Sequence, residues 1–139
     1  MIKYKIILQK DFLKNKKSLM DFYQPAYNEP YLKALKNSDL ICVCIEKDKI
    51  IWWMRVITDF NRFALLVDFF VKKDNQNKWI WWNITKKVLN YLKKEKVFNV
   101  MLTTDPRHPW LVDYYKKFWF NEDLEWTPMI IINKEYLLI

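Results

Sequence analysis

The sequence predicts an α/β domain built on a mixed central sheet. Two strand-like runs joined by a short polar segment lie in the middle of the chain, as in an antiparallel hairpin. A later apolar run is followed by a loop and a helical pattern, as in a strand–loop–helix unit. The chain has 139 residues, of which 52% are hydrophobic. That length suffices for one domain with a real core but not for two, so we expect a single domain over 1–139.

The first half of the chain supplies a strand, two helices and the hairpin. The predicted elements are a strand at 3–9, helices at 12–23 and 29–36, and strands at 40–45 and 50–58. Asp11 is of the type that caps a helix N-terminus, and Pro25 ends the helix that follows it. Pro30 suits the first turn of the second helix, because a proline there removes no intrahelical hydrogen bond. The polar segment 46–49 then forms the hairpin turn.

The stretch 64–95 organises the rest of the chain. Its first part, 64–71, is almost continuously apolar, which indicates a strand covered on both faces. In the helical pattern that follows, Ile84, Val88 and Leu92 recur on one helix face. The loop between strand and helix therefore ends at a helix N-terminus, where free backbone N–H groups and the helix dipole favour an anion. An anion site is the first functional prediction.

The last part of the sequence repeats the alternation of strand and helix. We predict a strand at 97–104, a helix at 110–118 and a strand at 128–132. The loop at 105–109 carries the single histidine, His108.

Charge and composition limit the classes of partner without choosing one. The formal net charge is +8, from 24 basic and 16 acidic residues, which suits nucleic acid, an anionic membrane or a polyphosphate cofactor. No arginine cluster or RNA-binding motif occurs, so the sequence gives no specific support for nucleic acid. No apolar run approaches the roughly 20 residues that cross a bilayer, and no signal peptide is evident. We expect a cytoplasmic protein without a membrane partner.

The two cysteines exclude a disulfide framework. Cys42 and Cys44 fall on one face of a predicted strand and are too few and too close for such a framework or for a complete zinc site. We expect buried thiols, no metal and no covalent mechanism.

One motif resembles the acetyl-CoA signature of the GNAT superfamily of N-acetyltransferases, V-x-P-x-x-Q/R-G-x-G-x-G/A. It is VKKDNQNKWIW at 71–81, with Gln76, Lys78 and Ile80 in register. The strand VDFFV before it is similar to the D-V-x-V of the family. The resemblance implies a GNAT-like α/β fold, in which a mixed, mostly antiparallel central sheet is flanked by helices on both faces.

A second motif lies later in the chain and agrees with the first. The segment YYKKFWF at 114–120 resembles the family pattern Y-x-K-x-G-F, with Tyr115, Lys117 and Phe120 in register. The order of the predicted elements agrees with the family over about 40–132.

Tryptophan or asparagine stands where the family has glycine. The positions are Asn77, Trp79, Trp81 and Trp119, and the chain contains eight tryptophans and no glycine. Glycine makes up about 7% of an average protein, so its absence is abnormal. Two explanations stay open: a chain that lacks glycine natively, or a gene whose UGA codons specify glycine and have been decoded as tryptophan. The pattern favours the second, and UGG codons at these sites would rule it out.

The resemblance implies acetyl transfer from acetyl-CoA, a co-substrate, directly to an amine. Backbone N–H groups at 76–81 would hold the diphosphate, and the strand before them would bond the pantetheine and polarise the thioester carbonyl. The implied cofactor-binding residues are Phe69, Phe70, Val71, Gln76, Asn77, Lys78, Trp79, Ile80, Trp81 and His108. For His108 a solvated loop position is an equal alternative.

The resemblance implies one catalytic residue, Tyr115, and the sequence itself suggests three further candidates for the site. Tyr115 would protonate the departing thiolate, although a core aromatic has the same helical spacing. Asp68 interrupts an apolar strand and is either a base or a structural hydrogen-bond acceptor. Arg55 and Asp59 could line the acceptor pocket, or form a plain surface pair.

We therefore predict an N-acetyltransferase acting on a primary amine of a small molecule or on an exposed amino group. The alternatives are a non-catalytic binding domain whose CoA site is blocked by Trp79 and Trp81, and, less favoured, a basic nucleic-acid-binding module. The resemblance is compatible with a homodimer.

Overall fold

The computed structural model describes residues 1–23, 29–71, 78–125 and 129. The chain divides into two compact units, Met1–Thr103 and Thr104–Ile139. The prediction of one domain over 1–139 stays a prediction.

The first unit contains most of the regular structure. Its elements in chain order are β1 (Ile2–Leu8), α1 (Phe12–Tyr23), α2 (Glu29–Lys36), β2 (Leu40–Glu46), β3 (Lys49–Thr58), β4 (Phe63–Val71), α3 (Lys78–Lys94) and β5 (Asn99–Met101). The second unit carries α4 (Trp110–Lys116). Helices α1 and α2 have the predicted bounds. Asp11, predicted as a cap, is the last residue of a short 3₁₀ turn, Gln9–Asp11, and directly precedes α1. Its role as a cap stays a prediction.

The strands form one mixed sheet in the order β1-β2-β3-β4-β5. Neighbouring strands are antiparallel except β4 and β5, which are parallel. The predicted fold, a mixed and mostly antiparallel sheet with helices, is confirmed. In the described residues, no helix has both the length and the apolar character needed to cross a bilayer.

The hairpin between β2 and β3 closes with two residues in the left-handed region. Glu46 pairs with Lys49, and between them Lys47 and Asp48 have φ of 49° and 62°. Two positive φ values characterise the type I′ turn, whose twist matches that of the flanking strands. The turn forms here without the glycine that usually occupies it.

Each face of the sheet is covered by a helix. Leu19 and Phe22 of α1 pack with Val43 and Trp53, and the Phe22 and Trp53 rings meet edge-on at 5.3 Å. Alternate residues along a strand point to opposite faces. The other face, which carries Cys42 and Cys44, packs against α3, whose Ile84, Val88 and Leu92 are all buried. The predicted apolar stripe of α3 is therefore confirmed.

Strand β5 is shorter than the predicted 97–104 at both ends: residue 97 still belongs to the end of α3, and pairing with β4 stops at Met101. The Val97 N–H donates to Leu92 O at 3.0 Å and Lys96 has φ of 60°, so residue 97 still belongs to the termination of α3. Pairing with β4 begins at Asn99. The predicted strand at 128–132 lies outside the described residues apart from Met129.

Candidate functional site

One edge of β4 is open beyond its pairing with β5. Strand β5 pairs only with Phe63, Ala64 and Leu65, whereas β4 continues to Val71. In the part of the chain that the structure describes, no strand pairs with this edge over 66–71. Backbone N–H and C=O groups on a strand edge need partners, and an extended ligand can supply them. The open edge of 66–71 is therefore a candidate binding surface.

The same stretch of β4 contains a β-bulge. Trp53 pairs with Phe70 and Arg55 pairs with Val67, so two residues of β4, Asp68 and Phe69, stand opposite one residue of β3. A bulge bends the strand and leaves its extra residue out of the ladder, and bulges are over-represented next to active sites. The predicted catalytic Asp68 thus occupies the irregular part of the strand. Phe69, Phe70 and Val71, predicted to bond the cofactor, lie at and just after it.

Helix α3 begins shortly after this edge. Its first residue is Lys78, and the predicted ligands Gln76 and Asn77 fall in 72–77, outside the described residues. Trp79 is 67% exposed, whereas Ile80 is buried. Ile80 can therefore meet a ligand only through its backbone. The half-buried Trp81 ring packs on the Trp52 ring, with centroids 6.4 Å apart.

Arg55 makes bonds within the fold. Only 9% of the residue is exposed, and its Nη1 donates to Ala34 O at 3.1 Å and to Ser38 Oγ at 3.0 Å. The Ser38 hydroxyl in turn donates to Ala34 O at 2.8 Å. These bonds tie β3 to the C-terminal end of α2, where a cation also complements the helix dipole.

Asp59 forms the turn between β3 and β4. Its Oδ1 accepts the backbone N–H groups of Asn61, Arg62 and Phe63 at 2.9, 2.9 and 3.1 Å. These bonds lower the pKa of the Asp59 carboxyl below its usual range, and the bond from the Asn61 N–H is the largest cause. The structure gives both predicted acceptor residues a structural role, and their contact with an acceptor stays a prediction.

Arg55→Met tests which role dominates. Removing the guanidinium takes charged hydrogen bonds from a buried site, so we expect the free energy of unfolding to fall by roughly 1.5–3 kcal/mol, measured by urea denaturation. Arg55→Lys should recover part of that loss. A variant that keeps its stability but raises the KM for an amine would instead place Arg55 in the acceptor pocket.

Tyr115 of the second unit lies in an aromatic cluster on α4. Only 6% of it is exposed, and its ring meets those of Tyr114 and Phe120 edge-on at 5.1 and 5.8 Å. His108 precedes the helix in the exposed loop. Its N–H donates to Asp105 O at 2.9 Å, and its own carbonyl accepts the Leu111 N–H at 3.0 Å. The catalytic role of Tyr115 and the cofactor contact of His108 stay predictions.

The end of α4 places a tryptophan in a glycine conformation. Trp119 has φ of 72°, its N–H donates to Lys116 O at 3.0 Å, and the Phe120 N–H donates to Tyr115 O at 3.4 Å. These two bonds define a Schellman motif with Trp119 at its left-handed position, which is usually glycine. The motif also ends α4 before the predicted residue 118. The contact between the Phe120 and Tyr115 rings is the apolar pair that accompanies such motifs.

Trp119→Gly is therefore expected to stabilise the protein. The β-carbon of an L-residue costs roughly 1–2 kcal/mol in this conformation, and part of that is offset by the greater freedom of glycine in the unfolded chain. The indole is 91% exposed, so little packing is lost. We expect the free energy of unfolding to rise by about 1 kcal/mol in urea titrations followed by far-UV circular dichroism. The matched control is Trp119→Ala, which keeps the β-carbon and should gain nothing; an equal gain from alanine would contradict this explanation.

The cysteines do not form a reactive centre. Cys42 and Cys44 are buried free thiols, and burial is the main cause that raises their pKa to about 12 and about 11. Thiols with such pKa values stay protonated at neutral pH and are poor nucleophiles. Among the described residues, no group of three or more histidine, cysteine or acidic side chains is placed to hold a metal ion.

The fold is shared with solved acetyltransferases. A GNAT-family acetyltransferase from Streptococcus pneumoniae matches with a TM-score of 0.71 and 25% sequence identity, over 96% of this chain and 99% of that one. A probable acetyltransferase of unknown function from Staphylococcus aureus matches at 0.68 and 24%, over 96% and 99%. An aminoglycoside acetyltransferase from an uncultured soil metagenomic sample, solved with trehalose, matches at 0.65 and 14%, over 94% and 97%. No protein-family model and no curated protein matches the sequence. The architecture of this chain is therefore GNAT-like.

Proposed function

We propose that this protein is an N-acetyltransferase that transfers the acetyl group of acetyl-CoA to a primary amine of a small molecule or to an exposed amino group. The observation that carries the proposal is the open, bulged edge of β4 over 66–71, followed by the start of α3. The GNAT-like architecture and the acetyltransferases that share it support the reaction class.

The open edge fits the pantetheine arm of acetyl-CoA. That arm is extended and contains two amide groups, which can pair with backbone groups of a strand edge as an added strand would. Phe69, Phe70 and Val71 contribute that backbone. The N-terminal end of the α3 dipole, together with the charge of Lys78, suits the diphosphate. We assign His108 a further contact with the cofactor.

Acetyl-CoA supplies an acetyl group activated as a thioester. A backbone N–H of the bulged strand would donate to the thioester carbonyl and stabilise the negative charge that develops on its oxygen. The substrate amine is an ammonium ion at neutral pH, and it loses one proton, to Asp68 or to water, before its nitrogen attacks the acetyl carbon. The nitrogen loses its second proton to solvent as the amide forms. As the carbon–sulfur bond breaks, the Tyr115 hydroxyl gives its proton to the departing thiolate.

Amine-dependent release of the CoA thiol tests this proposal. The full chain is incubated with acetyl-CoA and a panel of amines that includes a polyamine, an aminoglycoside and a peptide with a free N-terminus, and the thiol is followed with a chromogenic disulfide. We expect release that requires protein, acetyl-CoA and at least one amine. Tight binding of acetyl-CoA without amine-dependent release over the panel would favour the non-catalytic binding domain.

We further infer that glycine is the native residue at 79, 81 and 119. Three observations support this inference: the absence of glycine from the chain, the tryptophans at family glycine positions, and the left-handed φ of the exposed Trp119. An indole at Trp79 or Trp81 cannot give the close backbone approach that glycine allows beside a phosphate. Glycine at 79 and 81 would complete the diphosphate site.

The codons and the mass of the native protein together test this inference. We expect UGA at all three positions, and the protein purified from its native host should be lighter by the tryptophan-to-glycine difference in each peptide. UGG codons would show that the tryptophans are real.

A further inference from the structure

A groove separate from the β4 edge runs between strand β1 and helix α3. It has a volume of about 750 Å³. Strand β1 contributes Tyr4, Lys5 and Ile6, and α3 contributes Asn83, Lys86, Lys87, Asn90, Tyr91 and Lys94. We call it the β1–α3 groove.

The α3 side of the groove is one basic stripe of the helix. Its six residues follow the spacing i, i+3, i+4, i+7, i+8 and i+11, so they lie on one face. Lys86, Lys87 and Lys94 are exposed, and within the described ranges no ion pair involves them. None of the described residues that line the groove is acidic; Glu95 lies next to the groove and acts electrostatically on Tyr91. Lys87 and Lys94 are separated by about 10 Å along the helix axis, so the positive charge extends along the groove.

The β1 side of the groove is a strand edge. The Gln9 N–H donates to Asp39 O at 3.2 Å, next to the pairing of Leu8 with Leu40. In an antiparallel ladder, inward and outward backbone groups alternate between successive residues. The N–H and C=O groups of Tyr4 and Ile6 therefore point away from β2. In the described part of the chain β1 is the edge of the sheet, and no strand lies beyond it.

We propose that the β1–α3 groove binds an extended acidic segment of a partner protein, added to β1 as a further strand. The backbone of the segment would pair with the outward groups of Tyr4 and Ile6, as in β-augmentation. Side chains two residues apart on one face of a strand are about 6.8 Å apart. Acidic side chains at such positions reach Lys86, Lys87 and Lys94 of the stripe. This site is independent of the proposed acetyl transfer.

A peptide titration with matched charge reversals tests the electrostatic half of this proposal. The probe is a fluorescein-labelled peptide of alternating glutamate and valine, added to the full chain at low salt and followed by anisotropy. We expect saturable binding that weakens at least tenfold in Lys86→Glu with Lys94→Glu. Lys16→Glu with Lys17→Glu, on the exposed side of α1, makes the same change in net charge and should weaken binding less than threefold. Equal weakening of peptide binding in both double variants would overturn the proposal. Melting temperatures equal to that of the parent protein show that both variants are folded.

A backbone-modified peptide tests strand addition. Methylation of alternate backbone nitrogens keeps the glutamates and removes half of the N–H groups of the peptide. We expect at least tenfold weaker binding when the methylated nitrogens are those that would donate to β1. Methylation of the nitrogens that would point away from β1 should leave the affinity unchanged. Equal binding of both methylated peptides, or complete displacement of the probe by oligouridylate at lower concentration than by unlabelled peptide, would contradict an added strand and identify a nonspecific or nucleic-acid surface.

Discussion

Replacing Trp79 and Trp81 together with glycine is expected to tighten the binding of acetyl-CoA at least tenfold, or about 1.4 kcal/mol. Both residues lie in the first turn of α3, where the helix dipole favours an anion such as the proposed diphosphate. Removing two indoles lets the phosphates approach the backbone. The gain is measured by calorimetric titration of each protein with acetyl-CoA.

The double variant also changes stability, so the comparison needs controls. Glycine in a helix costs roughly 1 kcal/mol relative to alanine, and Trp81 loses its packing on Trp52. A lower melting temperature without ligand is therefore expected and does not bear on affinity. Trp82→Ala, in the same helix but outside the glycine positions, should leave affinity within about twofold. Equal or weaker binding by the double glycine variant would show that the indoles do not obstruct the site.

Removing the hydroxyl of Tyr115 is expected to lower kcat by a factor of roughly 100 or more. The variant is Tyr115→Phe, which keeps the ring contacts with Tyr114 and Phe120. General acid catalysis contributes factors of about 10²–10⁴ to the rate. Affinity for acetyl-CoA should change little, because only the leaving group loses its proton donor. Steady-state kinetics with the best amine from the panel give kcat for the variant and the parent.

The neighbouring tyrosine provides the matched control. Tyr114 is also buried on α4 and also loses only a hydroxyl in Tyr114→Phe. That variant should keep kcat within about threefold. Equal losses in both variants would indicate damage to the aromatic cluster, and an unchanged kcat in Tyr115→Phe would remove Tyr115 from the mechanism.

Regular elements with strong patterns could be predicted closely from the sequence. Apolar periodicity placed α1 and α3, and the polar segment at 46–49 placed the hairpin. These features depend on interactions between residues close in sequence, or on one face that must be buried. The mixed sheet followed from the order of the elements and from the family resemblance.

Features set by distant contacts could not be predicted in the same way. The bulge at Asp68 and Phe69 depends on the register between β3 and β4, which no local pattern records. The extent of pairing between β4 and β5, which stops at Leu65 and Met101, likewise depends on contacts between segments far apart in sequence. Arg55 looked like a pocket residue because its bonds to Ala34 and Ser38 join segments far apart in sequence.

The left-handed conformation of Trp119 could not be predicted from the sequence for a different reason. Tryptophan does not predict a Schellman motif, whereas glycine at that position would have done so. The family pattern identified the position, and the structure supplied the backbone conformation. The basic groove beside β1 was likewise hidden, because its lysines appear in the sequence only as the solvent face of α3.

Hydrogen exchange on β4 tests the central claim most directly. Exchange of backbone amides is followed by NMR or mass spectrometry with and without saturating acetyl-CoA, both for the chain as printed and for the Trp79→Gly, Trp81→Gly variant. We expect ligand to slow exchange over 66–71 and at the start of α3, while β1 and β2 remain unchanged. Saturation of either protein with acetyl-CoA without any slowing at 66–71, or no binding by either protein, would contradict the assignment of the β4 edge as the acetyl-CoA site.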